Sequence, residues 1–149
     1  MSVRKILIIG GTGVISSAVL GMLAKSRDTE LYVINRGHRP LPVMANHIIC
    51  DANDTAEMQK IIGSTVFDAV IDFVVYTPDQ ARYRVYLFQN HIRQYIFIST
   101  VVVFNHENNF ILNEDSVQKN RLSQYGRDKS ACEDVFNQAA KKGFPITIV

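Results

Sequence analysis

Lys5-Ile6-Leu7-Ile8-Ile9-Gly10-Gly11-Thr12-Gly13-Val14-Ile15-Ser16 reads as a strand that runs straight into a glycine-rich turn and then a helix. After the turn, apolar Val14, Ile15, Ala18, Val19, Met22 and Leu23 recur at helical spacing and predict a helix over 14–25. A second strand, Glu30–Asn35, follows at the distance expected of a βαβ unit. Glycine at 10, 11 and 13 lets the backbone turn sharply and approach a pyrophosphate with no Cβ in the way. The helix N-terminus then offers unpaired N–H groups and a partial positive charge to the phosphates. A tight βα turn would need glycines too. The strand before, the helix after and the second strand favour a dinucleotide site built on Gly10, Gly11, Thr12, Gly13, Val14 and Ile15. Ser16 stands where a third glycine usually lets helix and strand pack closely, and it is small enough to serve.

The rest of the chain alternates in the same way. His47–Cys50 is a short third strand, and Asp54 with Glu57 three residues on predicts a capped helix. Phe67–Val75 is a mostly apolar fourth strand, as expected of a parallel strand covered on both faces. Thr77-Pro78-Asp79-Gln80 opens a helix to about Asn90 or His91, with Thr77 as cap and Pro78 at the first helical position. Gln94–Thr100 is the fifth strand, and Asn105–Arg121 reads mainly as loop. Ser123 caps a last helix to about Lys141 or Lys142, Gly143 stops it, and Ile146–Val149 is the sixth strand. Such a βαβ series predicts an α/β fold of Rossmann type: a doubly wound parallel sheet in the order 3-2-1-4-5-6, with helices on both faces. Ligand is then expected between the first and fourth strands.

Composition narrows the function classes. The 149 residues are 47% hydrophobic and 20% charged, and the net charge is +2, a single globular domain with no electrostatic footprint for nucleic acid or an anionic membrane. No apolar run approaches a membrane span, and the N-terminus shows no signal-peptide core, so a cytoplasmic location is expected. Cys50 and Cys132 read as reduced thiols, and His38, His47, His91 and His106 are scattered, so no metal is expected.

The end of the second strand selects the cofactor. An acidic residue there would bond the adenosine ribose and favour NAD; this chain has Asn35-Arg36-Gly37-His38-Arg39. With no carboxylate to repel a 2′-phosphate, and with Arg36 able to pair with one, NADP is favoured over NAD. Solvated loop charges are the plainer account of Arg36 and Arg39. Asp51, after the third strand, is placed either to reach the adenine edge or to close a turn beside Asp54.

Tyr125-Gly126-Arg127-Asp128-Lys129 puts a tyrosine and a lysine one helical turn apart on one face. Tyrosine, with an ordinary pKa of about 10, becomes a usable base when a lysine ammonium and a helix N-terminus favour the phenolate. By itself the pair is equally a surface Tyr and Lys on an amphipathic helix. Its place adds weight, because Thr100 ends the fifth strand at the sheet edge where such folds bind ligands, and its hydroxyl can orient a substrate oxygen.

Four segments in this order, Gly10-Gly11-Thr12-Gly13, Phe67-Asp68-Ala69-Val70-Ile71-Asp72, Tyr95-Ile96-Phe97-Ile98-Ser99-Thr100 and Tyr125-x-x-x-Lys129, resemble the NAD-dependent epimerase/dehydratase family of extended short-chain dehydrogenase/reductases. Gly10-x-x-Gly13-x-x-Ser16 has the glycine spacing of that group. The resemblance implies an NAD(P)-dependent epimerase, dehydratase or oxidoreductase in which Tyr125 is the general acid/base, Lys129 holds the nicotinamide ribose and tunes the tyrosine, and Thr100 is the catalytic hydroxyl. It also implies that Phe73, Val74 and Val75 line the cofactor, the valines standing where the family has smaller residues. Ser16, Val74 and Phe104, the last in place of a usual tyrosine, mark an atypical member. A non-catalytic dinucleotide-binding sensor or scaffold of the atypical type is the alternative. By the same resemblance the substrate is a small molecule, a nucleotide sugar by default, and a homodimer forms through the helices 78–91 and 123–142. Leu87, Val135 and Phe136 would serve either core or interface there. Family members continue into a C-terminal substrate-binding region, so residues 1–149 are expected to be the cofactor domain, with little or no turnover of their own.

Overall fold

The computed structural model describes residues 3–105, 111–118 and 123–149. Its strands are β1 (Arg4–Ile9), β2 (Thr29–Asn35), β3 (Asn46–Ile49), β4 (Ala69–Asp72), β5 (Tyr95–Phe97) and β6 (Ile146–Ile148). Its helices are α1 (Val14–Leu23), α2 (Thr55–Ile62), α3 (Pro78–Phe88) and α4 (Gln124–Ala140), and Val101–Val103 forms a single 3-10 turn. All strand pairings are parallel and the order is β3-β2-β1-β4-β5-β6, as the βαβ series predicts. Of the predicted 105–121 loop, residues 106–110, which include His106, and 119–121 lie outside the described residues.

β1 shows why the sheet is covered on both faces. Successive side chains of a strand point to opposite sides. Leu7 and Ile9 therefore enter one core with Met58 and Ile62 of α2, Leu87 and Phe88 of α3, and Cys132 and Phe136 of α4. Ile6 and Ile8 enter the other with Leu20 and, at its edge, Val19 and Leu23 of α1. Leu87 and Phe136 thus belong to the core of this chain, and Val135 packs against it. Both cysteines are buried free thiols.

The caps act as the sequence predicts. Asp54 Oδ1 accepts the Glu57 amide at 3.0 Å, although Glu57 turns its carboxylate to Lys60 at 3.4 Å and does not close the box. Thr77 and Gln80 cap each other reciprocally, and Ser123 Oγ accepts the Gly126 amide at 3.1 Å.

Several elements are shorter than predicted. β4 ends at Asp72, because the Asp72 carboxylate accepts the Val74 amide at 2.8 Å and turns the chain out of the ladder, so Phe73–Val75 are not strand. At its other end Phe67 makes an isolated bridge to Ile92. β5 ends at Phe97, and Thr100 serves as the cap of the 3-10 turn, its Oγ1 accepting the Val102 amide at 3.3 Å. α1 stops at Leu23, and α3 stops at Phe88, before Asn90 takes a left-handed φ of 89°.

Two helical glycines show opposite environments. A Cβ on Gly126 of α4 would press on the Val102 carbonyl and lie 3.1 Å from Val102 Cγ1, whereas one on Gly21 of α1 would meet nothing within 4 Å. Gly126→Ala is expected to lower stability by about 2 kcal/mol through overpacking against the backbone of the 3-10 turn. Gly21→Ala is expected to raise it by about 0.5–1 kcal/mol through helix propensity alone. Urea unfolding of the two variants checks the signs.

Candidate functional site

At the C-terminal edge of the sheet, β1 runs into Gly10, whose φ of +91° suits glycine and few other residues. The turn is pinned by the Gly10 amide to the Ile34 carbonyl at 2.8 Å and the Thr12 amide to the Gly10 carbonyl at 3.0 Å. A Cβ on Gly10 would lie 2.6 Å from Val74 Cγ1. Gly11 is needed for another reason. A Cβ there would lie 2.7 Å from Val33 Cγ1 and 2.8 Å from Leu20 Cδ1, so its absence lets α1 seat on the sheet. Gly13 caps α1, and buried Ser16 returns its Oγ to the Gly13 amide at 2.9 Å. The first turn of α1 carries no acidic residue, so its positive end is not neutralised locally.

Beside this turn opens a cleft of about 730 Å³, a size suited to a small ligand or cofactor. Of the residues predicted to bind cofactor, Gly10, Thr12, Gly13, Val14, Ile15, Asn35, Arg36, Asp51, Phe73 and Val74 all line it. Gly11 does not, because it packs inward, and Val75 is wholly buried. Asn35 Oδ1 is occupied by the Gly37 amide at 2.7 Å and His47 Nε2 at 3.0 Å, while its Nδ2 is buried with no partner among the described residues. A buried donor in that state favours an acceptor oxygen arriving from a ligand. Asp51 Oδ1 accepts the Asn53 amide at 2.9 Å, so it closes a turn and lines the cleft as well.

His38, Arg39 and Tyr76 also line the cleft and were missed by the sequence reading. Tyr76 was findable, since it directly follows the predicted strand Phe67–Val75 at the edge where such sheets bind ligands. Burial, then the neighbouring Tyr125 and Asp72, push its phenol above the ordinary range.

Thr100, Tyr125 and Lys129 lie outside that lining, towards the β4–β5 side. Tyr125 is 44% exposed in the first turn of α4. Lys129, one turn on, is only 2% exposed, so the shared helical face runs from solvent into the core. Its ammonium donates to the Val75 carbonyl at 3.0 Å and the Ile98 carbonyl at 2.6 Å. It lies 3.9 Å from the centre of the Phe97 ring and 5.9 Å from that of Tyr76, a cation among π faces. Tyr76 therefore stands between the cleft and the Tyr125–Lys129 pair. Ser99 is committed elsewhere: its hydroxyl donates to buried Glu133, which also accepts Gln118 Nε2 at 2.7 Å. Among the described residues no group of His, Cys, Asp and Glu is placed to hold a metal, and no helix is long and apolar enough to cross a membrane.

The sequence profile of the NAD dependent epimerase/dehydratase family matches residues 6–149. Solved structures of similar fold include the UDP-Glc/GlcNAc 4-epimerase of Campylobacter jejuni, 20% identical over 97% of this chain and 52% of that one, with a TM-score of 0.86. A UDP-glucuronic acid 4-epimerase of Bacillus cereus, solved with NAD, is 21% identical over 97% and 55%, with a TM-score of 0.81. A dTDP-glucose 4,6-dehydratase of Bacillus anthracis, also with NAD, is 14% identical over 97% and 53%, with a TM-score of 0.78. At these identities the likeness is one of fold, and the chain spans about half the length of the structures it matches. No curated protein matches the sequence.

Burial lowers the pKa of Lys129 from its ordinary 10.5 to about 8. The folded chain then binds fewer protons than the unfolded chain between those values, so stability rises with pH across that window. Cys132, pushed up to about 11 by burial, acts in the opposite sense from its ordinary 9 upward. Between pH 8 and 9 the wild type is therefore expected to gain stability relative to Lys129→Met, read as urea midpoints. A constant difference across that interval would contradict the buried ammonium.

Proposed function

The chain belongs to the NAD dependent epimerase/dehydratase family, and from that premise we propose that residues 1–149 are the dinucleotide-holding part of an epimerase, dehydratase or reductase that prefers NADP. One observation carries the reading: a single cleft joins the glycine turn, the start of α1, the unpartnered Asn35 amide and Arg36. The residues fit a dinucleotide. The free amides at the start of α1, beside Gly10 and Gly13 in the lining of the cleft, take the pyrophosphate. Asn35 Nδ2 donates to the adenosine ribose, and Arg36 pairs with a 2′-phosphate, which no carboxylate at the end of β2 repels. A bound nicotinamide would supply the acceptor, and on return the donor, of a hydride.

Tyr125 removes the proton from a substrate hydroxyl oxygen, or delivers it in reverse. Thr100, whose cap bond uses an oxygen lone pair and leaves its O–H to donate, holds the same oxygen. Lys129, one turn further along α4 and bonded to the Val75 and Ile98 carbonyls, holds the nicotinamide ribose with its remaining N–H. A nucleotide sugar is the proposed substrate, and a homodimer through α3 and α4 the proposed assembly, both on the pattern of the family.

A non-catalytic dinucleotide-binding module is the second reading. What favours it is that two of the three Lys129 N–H groups are already taken by the Val75 and Ile98 carbonyls, which leaves one at most for a ribose.

In the whole enzyme, Tyr125→Phe is expected to cut conversion of a nucleotide-sugar substrate to product by about 10²–10⁴-fold while cofactor affinity stays unchanged. Equal rates would favour the second reading. In thermal-shift titrations, Arg36→Leu is expected to weaken NADP by about tenfold or more and to leave NAD nearly unchanged. Equal loss of both, or of neither, removes the NADP preference.

A further inference from the structure

Below the floor of the cleft lies a charged group that the proposed chemistry does not use. Asp72, Arg84 and Tyr95 are all fully buried. Arg84 Nε and the Tyr95 hydroxyl both donate to Asp72 Oδ2, each at 2.8 Å, and Asp72 Oδ1 accepts the Val74 amide at 2.8 Å. Arg84 Nη1 and Nη2 are buried with no partner among the described residues. Such an ion pair is a poor device for stability, because desolvation of both charges commonly matches or exceeds their attraction. Apolar residues in their place would serve a core as well or better.

We propose that Asp72, Arg84 and Tyr95 are positioning residues for the cofactor cleft: they aim one carboxylate oxygen at the Val74 amide and so hold residues 73–76 as its wall. The inference rests on the dinucleotide reading of that cleft. Phe73, Val74 and Tyr76 line it outside every strand; the Phe73 amide still reaches the Ile9 carbonyl at 3.0 Å and the Tyr76 amide reaches Gln80 Oε1 at 2.7 Å, and between those two ties the Val74 amide is held by Asp72. The separation is tight, since Val74 Cγ1 lies 2.6 Å from where a Gly10 Cβ would be. An outward or inward drift of Val74 would therefore widen or block the groove beside the glycine turn. A lone aspartate could hold the Val74 amide in several rotamers. Two donors on Oδ2 leave it one, and a wall ordered before binding spares the ligand that ordering cost.

The test compares the wild-type chain with two double variants. D72L/R84L removes both charges and the acceptor, and D72N/R84Q removes the charges but keeps an acceptor for the Val74 amide. D72L/R84L is expected to stay folded in the absence of urea, since loss of the ion pair offsets in part the acceptor lost by Tyr95 and Val74, yet to bind dinucleotide about tenfold more weakly. D72N/R84Q is expected to recover most of that affinity. Wild-type affinity in a folded D72L/R84L overturns the proposal. A second readout needs no variant: the Val74 amide of the ligand-free wild type is expected to exchange with solvent slowly, and exchange at the rate of an unstructured amide overturns the proposal whichever variants fold. Failure of the wild type to bind either NAD or NADP overturns the dinucleotide reading instead, and the amide readout still decides whether Asp72 holds Val74.

Discussion

β1 ends where there is no room for a side chain, and the rest of the molecule is arranged around that shortage. A Cβ at Gly10 would collide with Val74 after β4, and one at Gly11 would collide with Val33 of β2 and Leu20 of α1. Two consecutive glycines thus let four elements meet at one point. The same closeness leaves the backbone of the turn bare towards the cleft. Substitution at either position is resisted on different grounds, by a positive φ and a neighbouring loop at Gly10 and by core packing at Gly11.

Further along the same edge, order comes from buried polar groups more than from apolar contact. Lys129 ties the segments that follow β4 and β5 through the Val75 and Ile98 carbonyls, and Asp72 takes the Val74 amide. Glu133 joins Ser99 to Gln118. Each is a charged side chain sunk where apolar residues would pack at lower cost. What they share is placement: they fix irregular backbone at the C-terminal ends of strands, where the ladder has stopped and a ligand-facing edge must still be rigid. The apolar interior, by contrast, is ordinary, with Phe97 and Tyr95 packed on Phe136 at ring separations of 4.9 and 5.4 Å.

Legibility in the sequence followed the range of the interaction. Strand order, the caps at Asp54, Thr77 and Ser123, and the glycine turn were readable because each depends on a few neighbouring residues and on rules of periodicity and chain reversal. Strand ends were read less well. Phe67–Val75 is apolar throughout but stops being strand at Asp72, because a side-chain oxygen competes with the ladder for the Val74 amide. Ten of the residues read as cofactor-facing do line one cleft, while Tyr76, His38 and Arg39 carried no pattern of their own.

The amino-acid order alone determined the fold class, the strand order and the location of the glycine turn, since these follow from period, glycine spacing and capping chemistry. The state of Lys129 was decided only by tertiary structure. Its spacing from Tyr125 reads as a shared helical face, but the rotation of α4 against β4 and β5 buries the lysine and leaves the tyrosine exposed. Likewise Asp72, Arg84 and Tyr95 are 12 and 23 residues apart along the chain and meet only because the sheet and α3 fold onto one another. Side-chain periodicity is a local property, whereas burial and charge pairing depend on which surfaces come together.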